Sequence, residues 1–214
     1  MLVKDVMRSK VVTVTPRTAL AEAMRLVGQR GVRHLPVVAG NDLVGIVSDR
    51  DLKRAMASPA TGLARAELNF LLERLTVEEI MTQAVITIGP GFAAEDAARV
   101  MVTEKISALP VTDAGRLVGI VTETDVLDLF IRALGASEPS SRLDVMLTGQ
   151  PPGLGQVVEA VEGTGAPISS IVTLRNREGL QEAIVRIATI HPGRAVTALA
   201  AAGYSVRDGY RNPA

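Results

Sequence analysis

Two short segments of the chain, residues 45–51 and 119–125, hold the residue types that could do chemistry. In each, an apolar run ends at a hydroxyl residue, Ser48 or Thr122, and a carboxylate, Asp51 or Asp125, follows three residues later. One interpretation is a capping box, which satisfies backbone amides at a helix start. In the other, free amides and the helix dipole attract a phosphate while the carboxylate accepts both hydroxyls of a ribose. The two interpretations are compatible.

These two segments belong to an internal repeat with an offset of 74 residues. Residues 3–52 align with residues 77–126 without a gap, and 17 of the aligned positions are identical. The segment Leu35-Pro36-Val37 lies over Leu109-Pro110-Val111, and nine of the remaining positions exchange one apolar residue for another. Such regularity indicates a structural duplication.

Each copy of the repeat predicts the same order of elements. A short β-prone run leads into an amphipathic helix, two apolar runs form a hairpin, and a last helix begins at Ser48 or Thr122. The predicted ranges are 11–14, 18–30, 35–38 and 43–47 in the first copy, and 85–88, 92–104, 109–112 and 117–121 in the second. A β-α-β-β-α unit of this size cannot bury both faces of its sheet, so we expect the two copies to pack on each other.

The rest of the chain divides into a connector, a linker and a third module. A leucine stripe at 68, 71, 72 and 75 predicts a helical connector over 61–76, and small residues with a proline indicate a linker over 135–141. The following pattern predicts a βαββαβ module, the split-βαβ ferredoxin-like plan. Its expected elements are 142–149, 152–163, 168–175, 180–190, 192–202 and 203–208, with a turn at 176–179.

Composition excludes several classes of function. Among the 214 residues there is no cysteine, which removes thiol nucleophiles and cysteine-ligated metals, and two histidines are too few for a multi-histidine metal site. A net charge of zero and only five aromatic residues argue against nucleic acid as a partner. No apolar run is long enough to span a membrane, and the first residues lack a signal-peptide core, so we expect a cytoplasmic protein.

The doubled Leu-Pro-Val…Gly-Ile-Val-(Ser/Thr)-x-x-Asp pattern resembles a tandem pair of CBS domains, also called a Bateman module. The resemblance places the first repeat at 1–60 and the second at 77–134. It implies a pseudo-twofold pair that binds adenosine nucleotides as regulatory ligands, with no tightly bound cofactor. Asp51 and Asp125 would then hold ribose hydroxyls, and Ser48 and Thr122 would contact phosphate. The base would be sandwiched by main chain near Thr15-Pro16 and Gly89-Pro90 together with main chain near His34-Leu35-Pro36 and Ala108-Leu109-Pro110.

The two corners differ in charge. The first has Arg33, His34 and Arg50 where the second has Ser107, Ala108 and Thr124. Residues 1–60 hold ten basic and five acidic residues, whereas residues 61–140 hold six and twelve. Because guanidinium groups pair well with phosphate oxygens, we expect the first corner to take the more phosphorylated ligand.

The C-terminal region, residues 142–214, resembles an ACT domain, a βαββαβ module that often binds amino acids. The features that carry the resemblance are Pro152-Gly153-Leu154 at the first strand-to-helix turn and Gly165-Ala166-Pro167-Ile168 at the entry to the second strand. These residues form a possible effector site, although Pro167 stands where the family often has asparagine. ACT domains commonly pair, so the resemblance also implies a homodimer.

A CBS pair followed by an ACT domain resembles the acetoin-utilisation accessory proteins in its domain order. The favoured function is a non-enzymatic sensor whose output is a change in domain arrangement or partner binding, with an unidentified enzyme as one candidate partner. An enzyme is disfavoured because no histidine, lysine or nucleophile recurs beside both corners. Two alternatives stay open: an amino-acid sensor that acts through the ACT half, and a dimerising scaffold whose pockets have lapsed.

Overall fold

The computed structural model describes residues 1–57, 74–147, 153–175 and 181–212. The chain divides into two compact units, Met1–Val126 and Leu127–Ala214. Most of the predicted connector, including leucines 68, 71 and 72, lies outside the described residues, as do the predicted turn at 176–179 and Pro152.

Each copy of the repeat folds as a helix, a two-stranded hairpin and a second helix, as predicted. The first copy comprises the single turn α1 (Val3–Val6), α2 (Leu20–Arg30), β1 (His34–Ala39), β2 (Asp42–Ser48) and α3 (Asp49–Ala57). The second comprises a 3-10 turn (Val77–Glu79), α4 (Ala94–Glu104), β3 (Ala108–Asp113), β4 (Arg116–Thr122) and α5 (Glu123–Ala133). The hairpins join in one sheet of order β1-β2-β4-β3, where Asp42 pairs with Arg116.

The opening segment of each copy packs into the other copy. Val3 is fully buried in the core of the second copy, and Val77 is fully buried in the core of the first. The amide of Val3 donates to the carbonyl of Phe92 at 2.8 Å, and the amide of Val77 donates to that of Thr18 at 2.9 Å. This exchange confirms that the two copies pack on each other and shows that neither completes its core alone.

The glycines of the repeated Gly-Ile-Val motif make room for the exchanged segments. A Cβ at Gly45 would stand 2.5 Å from the sulfur of Met81, and a Cβ at Gly119 would stand 2.5 Å from that of Met7. Backbone carbonyl oxygens of residues 82 and 8 lie 3.3 and 3.2 Å from the same two positions, so a side chain at either glycine requires the methionine to move and the facing backbone to shift by a few tenths of an ångström.

The β-prone runs at 11–14 and 85–88 are shorter than predicted. Each forms a single parallel bridge, Val14 with Val37 and Ile88 with Val111. The ladder stops there because Pro36 and Pro110, the residues that precede the bridge partners, have no amide hydrogen to donate. Their carbonyls still accept hydrogen bonds from Val14 and Ile88, each at 3.1 Å.

The second unit contains the predicted βαββαβ order. Its elements are β5 (Ser140–Met146), α6 (Leu154–Glu162), β6 (Ile168–Arg175), β7 (Gln181–Ile187), α7 (Gly193–Ala201) and β8 (Ser205–Asn212). The antiparallel sheet has the order β6-β7-β5-β8, which is the split-βαβ arrangement. β5 begins two residues before the predicted start because Ser140 and Ser141 are buried, and the Ser141 hydroxyl donates to the carbonyl of Thr189 at 2.6 Å.

Candidate functional site

The first candidate site is a cleft of about 280 Å³ beside the start of α3. Both copies line it, because the exchange brings the second copy's opening segment to the first copy's helix. The first copy contributes His34, Ser48, Arg50 and Asp51, and the second contributes Thr82 with residues 84–86 and 105–108. The cleft therefore depends on the assembled pair.

Ser48 and Asp51 form the predicted capping box at the edge of this cleft. The amide and hydroxyl of Ser48 donate to Oδ2 of Asp51 at 2.9 and 2.6 Å, and the Asp51 amide lies 3.3 Å from the Ser48 hydroxyl oxygen. In the described ranges, Oδ1 of Asp51 has no hydrogen-bond partner. The cap thus fixes the carboxylate and leaves one oxygen available to a ligand hydroxyl.

A second cleft, of about 210 Å³, lies beside the start of α5. Every residue that lines it stands 74 positions from one that lines the first cleft: Arg8, residues 31–34, Ile120, Thr122 and Thr124. Thr122 and Asp125 repeat the cap, with the Thr122 amide and hydroxyl donating to Oδ2 of Asp125 at 2.9 and 2.5 Å. The two clefts are related by the duplication.

The second cleft differs in what holds its carboxylate. Nε of Arg8 donates to Oδ1 of Asp125 at 3.0 Å, and the Asp125 side chain is only 10% exposed. The first cleft has Thr82 where the second has Arg8. Both oxygens of Asp125 therefore accept hydrogen bonds within the protein, whereas among the described residues only Oδ2 of Asp51 does.

The assignment of Arg33 to the first corner is wrong. Its carbonyl accepts the Asp49 amide of its own copy at 2.9 Å, but its side chain reaches the other copy, where Nη2 donates to the Thr124 hydroxyl at 3.1 Å. The residues before each hairpin lie against the helix start of the opposite copy. The first cleft therefore has Arg50 and Lys105, and the second has Arg8 and Arg33. Two cations on each side remove the basis for expecting the more phosphorylated ligand in the first cleft.

His34 lines both clefts. Its Nε2 lies 2.9 Å from the hydroxyl oxygen of Ser107. Burial, with a smaller contribution from Arg33, lowers the pKa of His34 below its ordinary value of 6.5, against the opposing effect of Asp49, Asp51 and Glu123. At neutral pH His34 is an uncharged hydrogen-bonding group rather than a counter-ion for phosphate.

The predicted base-binding backbone is only partly in place. Ala108 and Pro110 line the first cleft, but Pro36 lines neither. Thr15-Pro16 and Gly89-Pro90 also line neither cleft, because they hold the exchanged segments: the Glu78 and Lys4 amides donate to the Pro16 and Pro90 carbonyls, each at 3.0 Å. Residues 84–86 instead form one wall of the first cleft, and the sequence analysis did not identify them as site residues.

A family model for the CBS domain matches residues 3–58 and again residues 77–132. The chain belongs to the CBS domain family. Both matches begin at the buried valines of the exchanged segments, so each CBS domain contributes its opening turn to the core of its neighbour.

Two curated relatives illustrate the range of proteins in which this pair occurs. A CBS domain-containing protein of Dictyostelium discoideum is 35% identical over 142 residues, which cover 65% of this chain and 98% of that protein. Inosine-5'-monophosphate dehydrogenase of Korarchaeum cryptofilum is 38% identical over 117 residues, which cover 54% of this chain. The matched region spans only 21% of that enzyme.

Three solved structures share the fold of the CBS pair. The CBS domain pair of MJ0100, in complex with 5'-methylthioadenosine and S-adenosylmethionine, is 32% identical with a TM-score of 0.52 and covers 61% of this chain and 95% of its own. CBSX2 in complex with AMP is 31% identical with a TM-score of 0.52 and covers 61% and 96%. A Vibrio cholerae protein assigned to acetoin utilization (AcuB) is 31% identical with a TM-score of 0.54 and covers 65% and 98%.

The residues predicted as an effector site in the second unit have structural roles where they are described. The carbonyl of Gly153 accepts the Tyr204 hydroxyl at 3.2 Å and the amides of the first turn of α6. Leu154 begins α6, Gly165 has a φ of +80° in the turn before β6, and Ile168 packs against the unit's core. Pro152 lies outside the described residues.

The described ranges place two further limits on function. No helix within them combines the length and apolar character needed to cross a bilayer. Nor do they contain a group of three or more histidine and acidic side chains arranged to hold a metal ion.

Proposed function

We propose that this protein is a non-enzymatic regulatory sensor that binds an adenine nucleotide in the first cleft of its CBS pair. The observation that carries the proposal is the Asp51 carboxylate, which the Ser48 cap holds at the cleft with one oxygen that no described residue contacts by a hydrogen bond. A carboxylate oxygen so placed accepts hydrogen bonds from the cis hydroxyls of a ribose.

The rest of the first cleft suits an adenosine ligand. Residues 84–86 and 106 supply small and apolar wall positions for a base, and Arg50 and Lys105 supply cations for a phosphate. Structures of similar CBS proteins contain AMP or the adenosyl ligands 5'-methylthioadenosine and S-adenosylmethionine, which supports the same ligand class here.

The second unit has a separate role in the proposal. Its βαββαβ order and β6-β7-β5-β8 sheet support an ACT-like module that begins with β5 at Ser140, two residues before the predicted start, and follows the CBS pair after the predicted linker. We assign to it dimerisation of the chain or binding of a second effector. Ligand binding in the CBS pair then regulates a partner enzyme through a differential affinity for two conformations.

Calorimetric titration of AMP into the wild type, Asp51→Ala and Asp125→Ala tests the assignment of the first cleft. Both substitutions remove the N3 carboxylate of the same capping box, so each is a control for the loss of that contact in the other, and Asp125→Ala in addition breaks the ion pair with Arg8. Asp51→Ala is expected to weaken the tightest AMP site by about tenfold or more, because the ribose loses a charge-assisted hydrogen bond.

The same titration defines the contradicting results. Asp125→Ala should leave the affinity of the tightest site within about threefold of the wild type. If Asp125→Ala abolishes that site and Asp51→Ala leaves it intact, the assignment to the first cleft is wrong. If AMP, ADP, ATP, 5'-methylthioadenosine and S-adenosylmethionine all fail to bind the folded wild type, the nucleotide-sensor proposal fails.

A further inference from the structure

The two clefts present different groups to a ligand although the duplication relates them position by position. In the second cleft Arg8 occupies the free oxygen of Asp125 at 3.0 Å, and in the first cleft the equivalent residue, Thr82, leaves Asp51 open. Arg8 comes from the exchanged opening segment, whose backbone is held by the hydrogen bonds between residues 8 and 120 at 2.9 and 3.0 Å. The arginine is therefore built into the wall of the second cleft.

A ribose that enters the second cleft must compete with Arg8 for the Asp125 carboxylate. Both partners hydrogen-bond to an ionised carboxylate, but only the guanidinium also carries a full positive charge, so a sugar hydroxyl is the weaker partner. A 5'-phosphate changes this balance, because it supplies a new anionic partner for the displaced guanidinium. Arg33, whose Nη2 is 3.1 Å from the Thr124 hydroxyl, adds a second cation on the same side.

We propose that Arg8 determines the ligand specificity of the second cleft, which accepts adenosine ligands with a 5'-phosphate and excludes those without one. This inference rests on the proposed adenosine binding and adds a division of labour between the clefts. The first cleft accepts adenosine ligands with and without a 5'-phosphate. Arg50 and Lys105 line it, and in the described part of the chain neither cation pairs with Asp51. The chain then responds separately to phosphorylated and unphosphorylated adenosine ligands.

Titrations in an Asp51→Ala background isolate the second cleft, with AMP and 5'-methylthioadenosine as the two probes. Asp51→Ala alone is expected to bind AMP at one site and to bind 5'-methylthioadenosine at least about tenfold more weakly. Adding Arg8→Thr, which copies the first cleft's residue, should strengthen 5'-methylthioadenosine binding by about tenfold and weaken AMP binding by a similar factor.

A matched control and a reciprocal variant complete the test. Arg25→Thr removes another exposed arginine, one that is paired with Glu22 on α2, and should leave the ratio of the two affinities unchanged. In the chain with Asp51 intact, Thr82→Arg should reduce 5'-methylthioadenosine binding in the first cleft. Asp51→Asn, which keeps the side-chain volume, replaces Asp51→Ala if circular dichroism shows that the alanine variant is unfolded.

The outcomes separate this inference from the proposed function. If the wild type binds 5'-methylthioadenosine in both clefts with similar affinity and Arg8→Thr changes neither, Arg8 has no role in specificity while the nucleotide sensor stands. If the folded wild type binds neither probe, both proposals are overturned. Selective gain of 5'-methylthioadenosine binding in Arg8→Thr supports the inference.

Discussion

Asp51 and Asp125 hold the same position in two copies of one unit, and their surroundings set their chemistry. Each accepts two hydrogen bonds from its capping residue on Oδ2. The two residues differ at Oδ1. In Asp125 this oxygen accepts a hydrogen bond from Nε of Arg8, and in Asp51 no described residue donates to it. The capping and ligand-binding interpretations are thus compatible in the first cleft, because the capping hydrogen bonds use only Oδ2 of Asp51.

His34 makes the stability of the CBS pair depend on pH. Its folded-state pKa lies below the ordinary value of 6.5, so the unfolded chain binds the proton more readily. The stabilising contribution of neutral His34 is fully present above about pH 6.5 and is lost as the pH falls through the folded-state pKa. We expect the free energy of unfolding to decrease on acidification from about pH 7 to pH 5.5.

Urea unfolding at a series of pH values measures this dependence. His34→Ala introduces the alanine that the second copy has at the equivalent position, 108. This variant should reduce the change in the free energy of unfolding with pH over that interval. His191→Ala removes the other histidine of the chain and should keep the slope. An equal slope in the wild type and His34→Ala would show that His34 does not control the pH dependence.

At the level of elements, the exchange of opening segments decides where the clefts form. The periodicity and spacing of the repeat predicted the hairpins, the helices and both capping corners, because these depend on residues close in sequence. They did not show which copy each opening segment packs against, since the same apolar pattern suits either partner. The placement of the Arg33 side chain at the opposite corner from the one predicted follows from this ambiguity. The sequence did contain one signal for the difference between the clefts, because the alignment of the two copies places Arg8 over Thr82.

Substitution of Val3 tests whether the exchanged segment is part of the core. Val3 is fully buried against the second copy, so Val3→Ala should lower the free energy of unfolding by about 2 kcal/mol. Val102→Ala makes the same chemical change at a position that is 79% exposed and should stay within about 0.5 kcal/mol of the wild type. Equal effects of the two substitutions in denaturant unfolding would show that α1 does not complete the second core.

At the level of the whole molecule, one chain combines two CBS domains with a second compact unit. The net charge of zero combines an excess of five basic residues in 1–60, an excess of six acidic residues in 61–140 and an excess of one basic residue in 141–214. This sequence-level contrast did not predict the charge of the clefts, because the exchange distributes two cations to each. The second unit's topology was predictable from its strand and helix pattern. The role of Gly153 was not, because its carbonyl accepts a hydrogen bond from the hydroxyl of Tyr204, a residue distant in sequence.

The most direct test of the central claim is a crystal structure of the full chain grown with AMP. We predict the ribose of the nucleotide in the first cleft, with a hydroxyl about 3 Å from Oδ1 of Asp51 and the base against residues 84–86. A structure in which AMP is bound elsewhere on the protein, with Oδ1 of Asp51 contacting no part of the nucleotide, would contradict the account.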